Sequence, residues 1–373
     1  MKILSVHISV PKNDAENWRI LNIAQILKNN GHEVDLVHYC SKSAYKEMEN
    51  KENYPKDKFI ITSPPAVFFN HLKLLNEKEK YDLVYANTGT AAFCSILGKL
   101  KKIPLVFDMH GDLKQELLLE KRSALNPYFL AEYLQFKIME FTNLLGCDEI
   151  VCVSRKMMDY LHQKKGIPLE KMCYATNGVD LEFFKPKNDR SNLKEKLGLE
   201  DKFTVGYVGG TQAWQGLDNL LRAAKSIEDN ELTFIFVGGK PEVNVKNFIF
   251  IPEIDRSQVP DYYSICNILV LPRPYHIATE IAAPTKFAEY TAMGKPVLTT
   301  NTGDAAELVQ KYNCGIVVED NQVKNLVKGI NKFKNLGPDE LKHMGKNSRK
   351  LAQIEFDWKL VGNNLLKALE KFN

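Results

Sequence analysis

The residues best suited to chemistry lie in one short stretch, "APTKFAEYTAMGKPVLTT", at 283–300. Lys286 and Glu289 are three positions apart, so on a helix their side chains share one face. Pro284 suits the first turn of that helix, and Gly294 suits its end. An ammonium group in this place can neutralise a phosphate, and a carboxylate can accept hydrogen bonds from two vicinal hydroxyls. A solvated Lys–Glu pair is the alternative, but the small and apolar neighbours argue against a freely solvated helix.

A second stretch, "TVGYVGGTQAWQGLDNLLRAA" at 204–224, runs from an apolar strand through glycines into a helix. Gly209 and Gly210 allow the backbone to approach a ligand closely. The amino end of the following helix offers free N–H groups and a partial positive charge, which suit a phosphate. A tight strand-to-helix turn without a ligand is an equally open interpretation. The glycine spacing is not the G-x-G-x-x-G of dinucleotide-binding folds, which argues against a nicotinamide or flavin enzyme.

The elements that must position these residues form two alternating series of strands and helices. The strands are indicated by apolar runs, as expected for buried parallel strands: "KILSVHI", "HEVDLVHY", "YDLVYAN", "PLVFDMHG" and "DEIVCVS" in the first half, and "FTVGYVG", "LTFIFVGG", "NFIFIP", "ILVLP" and "GIVVE" in the second. Two helices are expected after the last of these. A turn-rich, charged segment near residues 180–200 separates the halves. The pattern predicts an α/β fold with two Rossmann-like parallel-sheet domains whose strand ends face a shared cleft.

Composition excludes several classes of function. The 50 basic and 46 acidic residues are too evenly balanced and too scattered to indicate a nucleic-acid partner. The seven cysteines include no C-x-x-C pair, so we expect a reduced, cytoplasmic chain. The N-terminal apolar run is typical of a strand rather than a signal peptide, and no apolar run reaches the roughly 18 residues needed to span a bilayer.

Three ordered stretches resemble retaining GT-B glycosyltransferases of family 4 (GT4), and the resemblance covers nearly all of the chain. They are "EIVCVSRKM" with "IPLEKMCYATNGVDLEFFKP", "GYVGGTQAWQGLDNLLRAA", and "PTKFAEYTAMGKPVLTTNTGDAAELV". The resemblance implies a GT-B fold with an acceptor-side domain at 1–180 and a nucleotide-sugar-binding domain at 181–356, with the helix at about 357–373 packing back on the first domain. It also implies transfer of a sugar from a nucleoside-diphosphate donor, UDP- or GDP-linked, to an acceptor hydroxyl with retained configuration.

The resemblance also implies roles for individual residues. The carboxylate matching Glu289 holds the ribose hydroxyls, and a histidine like His110, at the end of "FDMHGD", points towards the transferred sugar; Asp108 is interpreted as structural. Lys286 and Glu280 complete the expected catalytic set, although Ile281 stands where the family has its first glutamate. The expected donor-binding residues are Gly209, Gly210, Thr211, Gln215, Arg273, Lys286 and Glu289.

Departures from the family pattern keep other functions open. The family usually has Arg and Lys in the loop before the second-domain helix, but Gly210 and Gln215 stand there. The phosphate charge therefore falls to Lys286, with Arg273 as a second candidate. A GT-B epimerase or phosphorylase is one alternative, and a module that binds nucleotide-sugar without transferring it is another. No cofactor or metal is expected, because the sequence contains no D-x-D and its His and Cys residues lack ligand spacing.

The acceptor is not indicated by any motif. Residues 126–146, "NPYFLAEYLQFKIMEFTNLLG", carry many aromatic residues at helical spacing. We expect this helix to pack on the first sheet, because Glu132 and Glu140 dilute any basic face. The alternative is a membrane-surface helix that presents a lipid or polysaccharide acceptor, with peripheral membrane contact.

Overall fold

The computed structural model describes residues 1–8, 14–49, 58–62, 64–76, 81–96, 98, 102–119, 126–187, 191–239 and 247–372. The chain divides into two compact units. Unit 1 comprises Met1–Thr176 and Val361–Asn373, and unit 2 comprises Asn177–Leu360.

Unit 1 is built around one parallel sheet. Its strands are β1 (Lys2–Ile8), β2 (Glu33–Cys40), β3 (Lys58–Ile61), β4 (Leu83–Ala86), β5 (Leu105–Met109), β6 (Glu149–Cys152) and β7 (Met172–Tyr174). Its helices are α1 (Asp14–Asn29), α2 (Lys42–Glu49), α3 (Pro64–Asn76), α4 (Gly89–Ser95), α5 (Leu113–Leu119), α6 (Pro127–Gly146) and α7 (Arg155–Lys165). The strand order is β3-β2-β1-β4-β5-β6-β7. Because β2 and β4 flank β1 on opposite sides, the winding of the chain reverses at β1.

Unit 2 repeats this arrangement. Its strands are β8 (Phe203–Val208), β9 (Leu232–Val237), β10 (Phe248–Ile251), β11 (Ile268–Leu271), β12 (Val297–Thr300) and β13 (Gly315–Val318). Its helices are α8 (Ser191–Lys196), α9 (Leu217–Ser226), α10 (Val259–Ile265), α11 (Ile277–Glu280), α12 (Thr285–Ala292), α13 (Gly303–Tyr312), α14 (Val323–Lys334) and α15 (Pro338–Leu351). The strand order is β10-β9-β8-β11-β12-β13, and the pairs are parallel. The winding reverses between β8 and β11.

The predicted α/β architecture with two Rossmann-like parallel sheets is confirmed, with differences at the short and terminal elements. The sequence analysis missed β3 and β7, which are short and lie at the two edges of the first sheet. It expected two helices after β13, one of them at about 357–373. The structure has three, α14, α15 and α16 (Trp358–Leu369), and α16 corresponds to the helix expected at about 357–373. A π-helical turn at Ala352–Phe356 separates α15 from α16.

We expected α6 to pack on the first sheet, but the main packing partners of its buried side are the helices α4 and α5. Phe129, Met139, Asn143 and Leu144 are buried. Six other large apolar side chains of α6 are exposed: Tyr128, Leu130, Leu134, Ile138, Phe141 and Leu145. We call these six residues the α6 stripe. Among the helices that the structure describes, none is both long and apolar enough to cross a membrane.

Candidate functional site

The candidate site lies in unit 2 where β8 and β11 end side by side. An open α/β sheet offers its ligand crevice at such a point, because the connections leave the two strands in opposite directions. Gly209 follows β8 with a φ of +135°, a conformation that favours glycine. A Cβ at Gly209 would lie 2.6 Å from the Nζ atom of Lys286. The glycine therefore leaves the space that the lysine side chain occupies.

A second glycine closes the loop between β8 and α9 against the end of β11. Gly216 has a φ of +71°, and a Cβ there would lie 1.8 Å from the carbonyl oxygen of Pro272. No residue with a side chain fits this contact without moving the backbone. The amino end of α9 is consequently held beside Arg273, the residue that follows Pro272.

Lys286 extends from α12 into the same place. Its Nζ atom donates to the Tyr207 hydroxyl at 3.1 Å and to Oε1 of Gln215 at 3.1 Å. The ammonium group also lies 4.5 Å from the centroid of the Tyr207 ring, a cation–π contact. Burial, together with repulsion from Arg273, lowers the pKa of Lys286 to about 7. A bound anion would favour the charged form of this side chain.

Arg273 supplies the second cation. It is only 8% exposed, and its Nε atom donates to the Trp214 carbonyl at 3.4 Å. Its own carbonyl accepts a hydrogen bond from the Thr300 hydroxyl at 2.7 Å, which fixes the chain after β11. The repulsion between the Lys286 and Arg273 side chains is unfavourable. An anion between them would relieve that repulsion, so the arrangement favours a phosphate or diphosphate group.

Glu289 lies one helical turn beyond Lys286 on α12. Its Oε2 atom accepts a hydrogen bond from the Tyr263 hydroxyl at 2.8 Å, and its Oε1 atom pairs with Arg256 at 3.2 Å. The side chain is 12% exposed. Burial raises the pKa of Glu289, while Arg256 and Tyr263 oppose that shift. A carboxylate has about four acceptor positions, so these two partners leave capacity for further donors. The alternative of a solvated Lys–Glu pair is wrong.

The structure gives Glu280 a definite local contact. This residue ends α11, and its Oε2 atom accepts a hydrogen bond from the backbone N–H of Gly303 at 2.8 Å. Gly303 is the first residue of α13, so the carboxylate caps the amino end of that helix.

The loop after β8 contains two further predicted donor-binding residues. The backbone carbonyl of Gly210 accepts a hydrogen bond from the Tyr207 hydroxyl at 2.6 Å. Thr211 is exposed in the loop that follows.

His110 belongs to unit 1, directly after β5. Its Nε2 atom lies 3.3 Å from Oδ2 of Asp108, and the side chain is 24% exposed. Asp108 is fully buried and also accepts hydrogen bonds from Arg19 and Tyr85. Burial alone would raise the pKa of Asp108, but Arg19 and His110 lower it below its usual range. Asp108 therefore belongs to a buried cluster with Arg19 and Tyr85 and also contacts His110, in agreement with the structural role that the sequence suggested.

Unit 2 thus brings Gly209, Gln215, Arg273 and Lys286 together. The sequence analysis missed three contacting residues, namely Tyr207 beside Lys286, and Arg256 and Tyr263 beside Glu289. Tyr207 could have been noticed, because it comes two residues before the glycine pair. Arg256 and Tyr263 carried no signal, because their contacts with Glu289 join parts of the chain that are distant in sequence.

Replacing Lys286 by methionine should change how stability depends on pH. The native pKa of about 7 lies below the unfolded value of 10.5, so the folded wild type binds fewer protons than the unfolded chain between these values. The free energy of unfolding of the wild type should therefore rise by about 2–3 kcal/mol, because of this lysine, as the pH is raised from 6 to 9. Lys286→Met should lack this rise. Urea unfolding of both proteins at the two pH values measures the difference. Lys328→Met, at an exposed position of α14, controls for loss of a lysine. A stability difference that is the same at both pH values would contradict the buried position of the amine.

Two family models match the chain. The model described as Glycosyltransferase Family 4 matches residues 17–183. The model described as Glycosyl transferases group 1 matches residues 189–351. Together they cover most of both units.

The chain is also similar to individual proteins. Spore coat protein SA of Bacillus subtilis (strain 168) is 25% identical over 223 residues, which are 52% of this chain and 57% of that protein, so the match spans less than two thirds of that relative. The UDP-Gal:alpha-D-GlcNAc-diphosphoundecaprenol alpha-1,3-galactosyltransferase of Escherichia coli is 25% identical over 323 residues, covering 80% of this chain and 76% of that protein. The crystal structure of Anabaena Alr3699/HepE in complex with UDP is 19% identical, with a TM-score of 0.76 and coverage of 100% of both chains.

Proposed function

Because the chain belongs to glycosyltransferase family 4, we propose that it transfers a sugar from a nucleoside-diphosphate sugar to an acceptor hydroxyl, with retention of the anomeric configuration and without a metal. The observation that carries this proposal is the convergence of Lys286 and Arg273 beside the amino end of α9. Donors linked to UDP are the first candidates, because the Anabaena structure contains UDP. Donors linked to GDP are the second.

In the proposed reaction, negative charge develops on the diphosphate as the bond to the sugar breaks. Lys286, Arg273 and the N–H groups of α9 would stabilise this charge, and because they are already in place they require little reorganisation. The acceptor hydroxyl attacks the face that the diphosphate leaves, and the departing phosphate takes its proton. We assign His110 to the region of the transferred sugar. Glu280, which the resemblance placed in the catalytic set, is assigned to positioning through its contact with α13.

A thermal-shift screen against UDP, GDP and ADP, and against sugars linked to each, tests the donor. A ligand present at 100 times its dissociation constant should add about 2.7 kcal/mol to the free energy of unfolding. We expect a clear shift with one base and a weaker shift with the others. A flat response to all three nucleotides would contradict the assignment of the site.

The role of Glu289 can be tested with a matched pair of nucleotides. Glu289→Ala should weaken binding of the ribonucleotide by about tenfold to a hundredfold, since hydrogen bonds to a charged group contribute about 1.5–3 kcal/mol. Binding of the 2′,3′-dideoxy analogue should change little, because that ligand has no hydroxyls for the carboxylate to hold. Tyr263→Phe, which removes one partner of Glu289, should cause a smaller loss. If Glu289→Ala weakens both nucleotides equally, the carboxylate does not hold the ribose.

The alternatives predict different products. An epimerase would convert the nucleotide-sugar without any acceptor, and a phosphorylase would release a sugar phosphate. A non-catalytic module would bind the nucleotide-sugar and form no product. Nuclear magnetic resonance of the nucleotide-sugar, incubated with and without a mixture of candidate acceptors, distinguishes these outcomes and also reports the configuration of the new bond.

A further inference from the structure

Unit 1 contains a large groove that the proposed donor site does not use. Its volume is about 1090 Å³, and it lies between α3, α4 and α6 at the carboxyl ends of β1, β2 and β3. Ligand pockets for small molecules are roughly 300–1,000 Å³, so the groove is large enough for a sizeable ligand. Helix α6 lines one wall with Ala131, Leu134, Gln135, Ile138 and Met139, whose spacing places them on one face.

The walls of this groove are mostly apolar, and the polar lining residues are Tyr39, Ser41, Thr62, Thr90 and Gln135. None of the lining residues that the structure describes carries a charge. The Tyr39 hydroxyl is hydrogen-bonded to Nδ1 of His71 at 3.2 Å. Nε2 of His71 is hydrogen-bonded to the Ser95 hydroxyl at 3.0 Å. The Thr62 hydroxyl accepts from the side-chain amide of Asn70 at 2.8 Å. The fold itself thus provides partners for these polar groups.

Burial also keeps the layer beneath the groove uncharged. It lowers the pKa of His71 to about 4, so this histidine is neutral at physiological pH. Cys40 and Cys94 line the groove as thiols, and burial raises the pKa of both. A saccharide or peptide needs several hydrogen-bond partners when it leaves water, and this groove provides few. A hydrocarbon chain needs none.

The groove is continuous with the α6 stripe. Leu134 and Ile138 both line the groove and belong to the stripe. Contiguous exposed apolar surface is uncommon on soluble monomers and marks contact with another apolar phase. A hydrocarbon chain in the groove would therefore lie beside an exposed apolar surface. That surface is suited to contact with a lipid bilayer, which is the source of such hydrocarbon chains.

We propose that this groove binds the hydrocarbon chain of a lipid-linked acceptor, while the α6 stripe rests on the membrane that supplies it. This inference rests on the proposed transferase function and narrows its acceptor to the lipid-linked class. The lipid head group would lie at the carboxyl edge of the first sheet. His110 follows β5 at that same edge, where β5 pairs with β4 and β4 pairs with β1.

Binding of dansyl-labelled undecanoic acid tests the groove without knowledge of the acceptor sugar. The wild type should bind this probe saturably. The measurement is the increase in dansyl fluorescence when the dansyl group itself is excited. Ala131→Trp on α6 and Thr90→Trp on α4 should each weaken binding by about tenfold or more, because the indole fills volume that the hydrocarbon chain needs. Leu145→Trp adds the same indole to the stripe outside the groove and should bind the probe as the wild type does.

The thermal shift caused by UDP provides an independent measure in every variant. If wild type and both groove variants retain the UDP shift but bind the probe equally well, or not at all, the groove proposal is overturned. If the probe binds as expected but no nucleotide stabilises the protein, the groove stands and the transferase proposal fails.

Vesicles of phosphatidylglycerol and phosphatidylcholine test the stripe. Wild type should float with the vesicles, and Leu145→Glu should reduce the bound fraction. Sedimentation velocity of the same two proteins tests the alternative that the stripe contacts a second copy of the chain. A wild-type dimer that Leu145→Glu dissociates, with no flotation, would make the stripe a subunit interface and overturn the membrane contact.

Discussion

Lys286→Ala is expected to lower the rate of sugar transfer by about two to three orders of magnitude, the equivalent of roughly 3–4 kcal/mol in the transition state. The reason is the position of the ammonium group, which lies between Tyr207 and Gln215 at the end of β8 with Arg273 nearby. A cation held there gains interaction energy as the diphosphate becomes more negative. Its loss should therefore reduce kcat more than it weakens binding of the intact donor.

The measurement is a comparison of kcat and of donor affinity for wild type and Lys286→Ala, with folding checked by thermal unfolding. Lys295→Met is a matched control. This lysine is also buried and comes soon after α12, but its Nζ atom donates to the carbonyls of Ser264 and Cys266 at 2.6 Å. The control should lose stability and keep its kcat at temperatures where it remains folded. Transfer that survives Lys286→Ala, or an equal loss in both variants, would place the diphosphate elsewhere.

The strands around this site could be predicted because burial leaves a clear pattern in the sequence. Strands β1 and β8 are covered on both faces, so their residues read as continuous apolar runs. Edge strands lack this constraint, and β7, with only three residues, was missed. The position of Lys286 on α12 followed from Pro284 and Gly294, which mark the helix ends locally.

The contacts that tune the site could not be predicted, because they depend on packing between distant segments. Lys286 and Tyr207 are separated by 79 positions, and nothing in either local sequence indicates that they meet. Glu280 illustrates the same limit. Its spacing to Glu289 is one residue longer than in the family motif, and the fold directs its carboxylate to the amino end of α13.

Helix α6 shows a different limit. Apolar residues all round a helix are compatible with burial in a core or with contact with another apolar phase. The sequence favoured burial because Glu132 and Glu140 dilute any basic face of the helix. The structure accounts for Glu140, which pairs with Lys114 and Lys165. That acidic residue is therefore neutralised within the fold and does not oppose an apolar environment on the other side of the helix.

Asp108→Leu is expected to destabilise the protein by about 3–5 kcal/mol, the range for removing one partner of a buried ion pair. Asp108 accepts hydrogen bonds from Nε of Arg19 at 3.0 Å and from Nη2 at 2.8 Å. The remaining guanidinium donors reach the carbonyls of Ala175 and Thr176, which are neutral. Without Asp108, the charge of Arg19 would remain in the interior with no anion to balance it, so the cost is mainly that of a buried, unpaired charge.

The double variant Arg19→Met/Asp108→Leu separates this cost from simple loss of packing. It removes both charges, so it should be more stable than Asp108→Leu alone even though it carries one more substitution. Tyr85→Phe, which removes one hydrogen bond to Asp108, should cost only about 1 kcal/mol. Urea unfolding at neutral pH measures the free energy of unfolding of all these variants.

Because the pKa of Asp108 is lowered in the folded state, the stability that this carboxylate contributes is present above the ordinary carboxyl pKa and is lost on acidification. The gap between wild type and Asp108→Leu should therefore narrow as the pH falls. Additive losses in the double variant would show that Arg19 and Asp108 act independently, which would contradict this account.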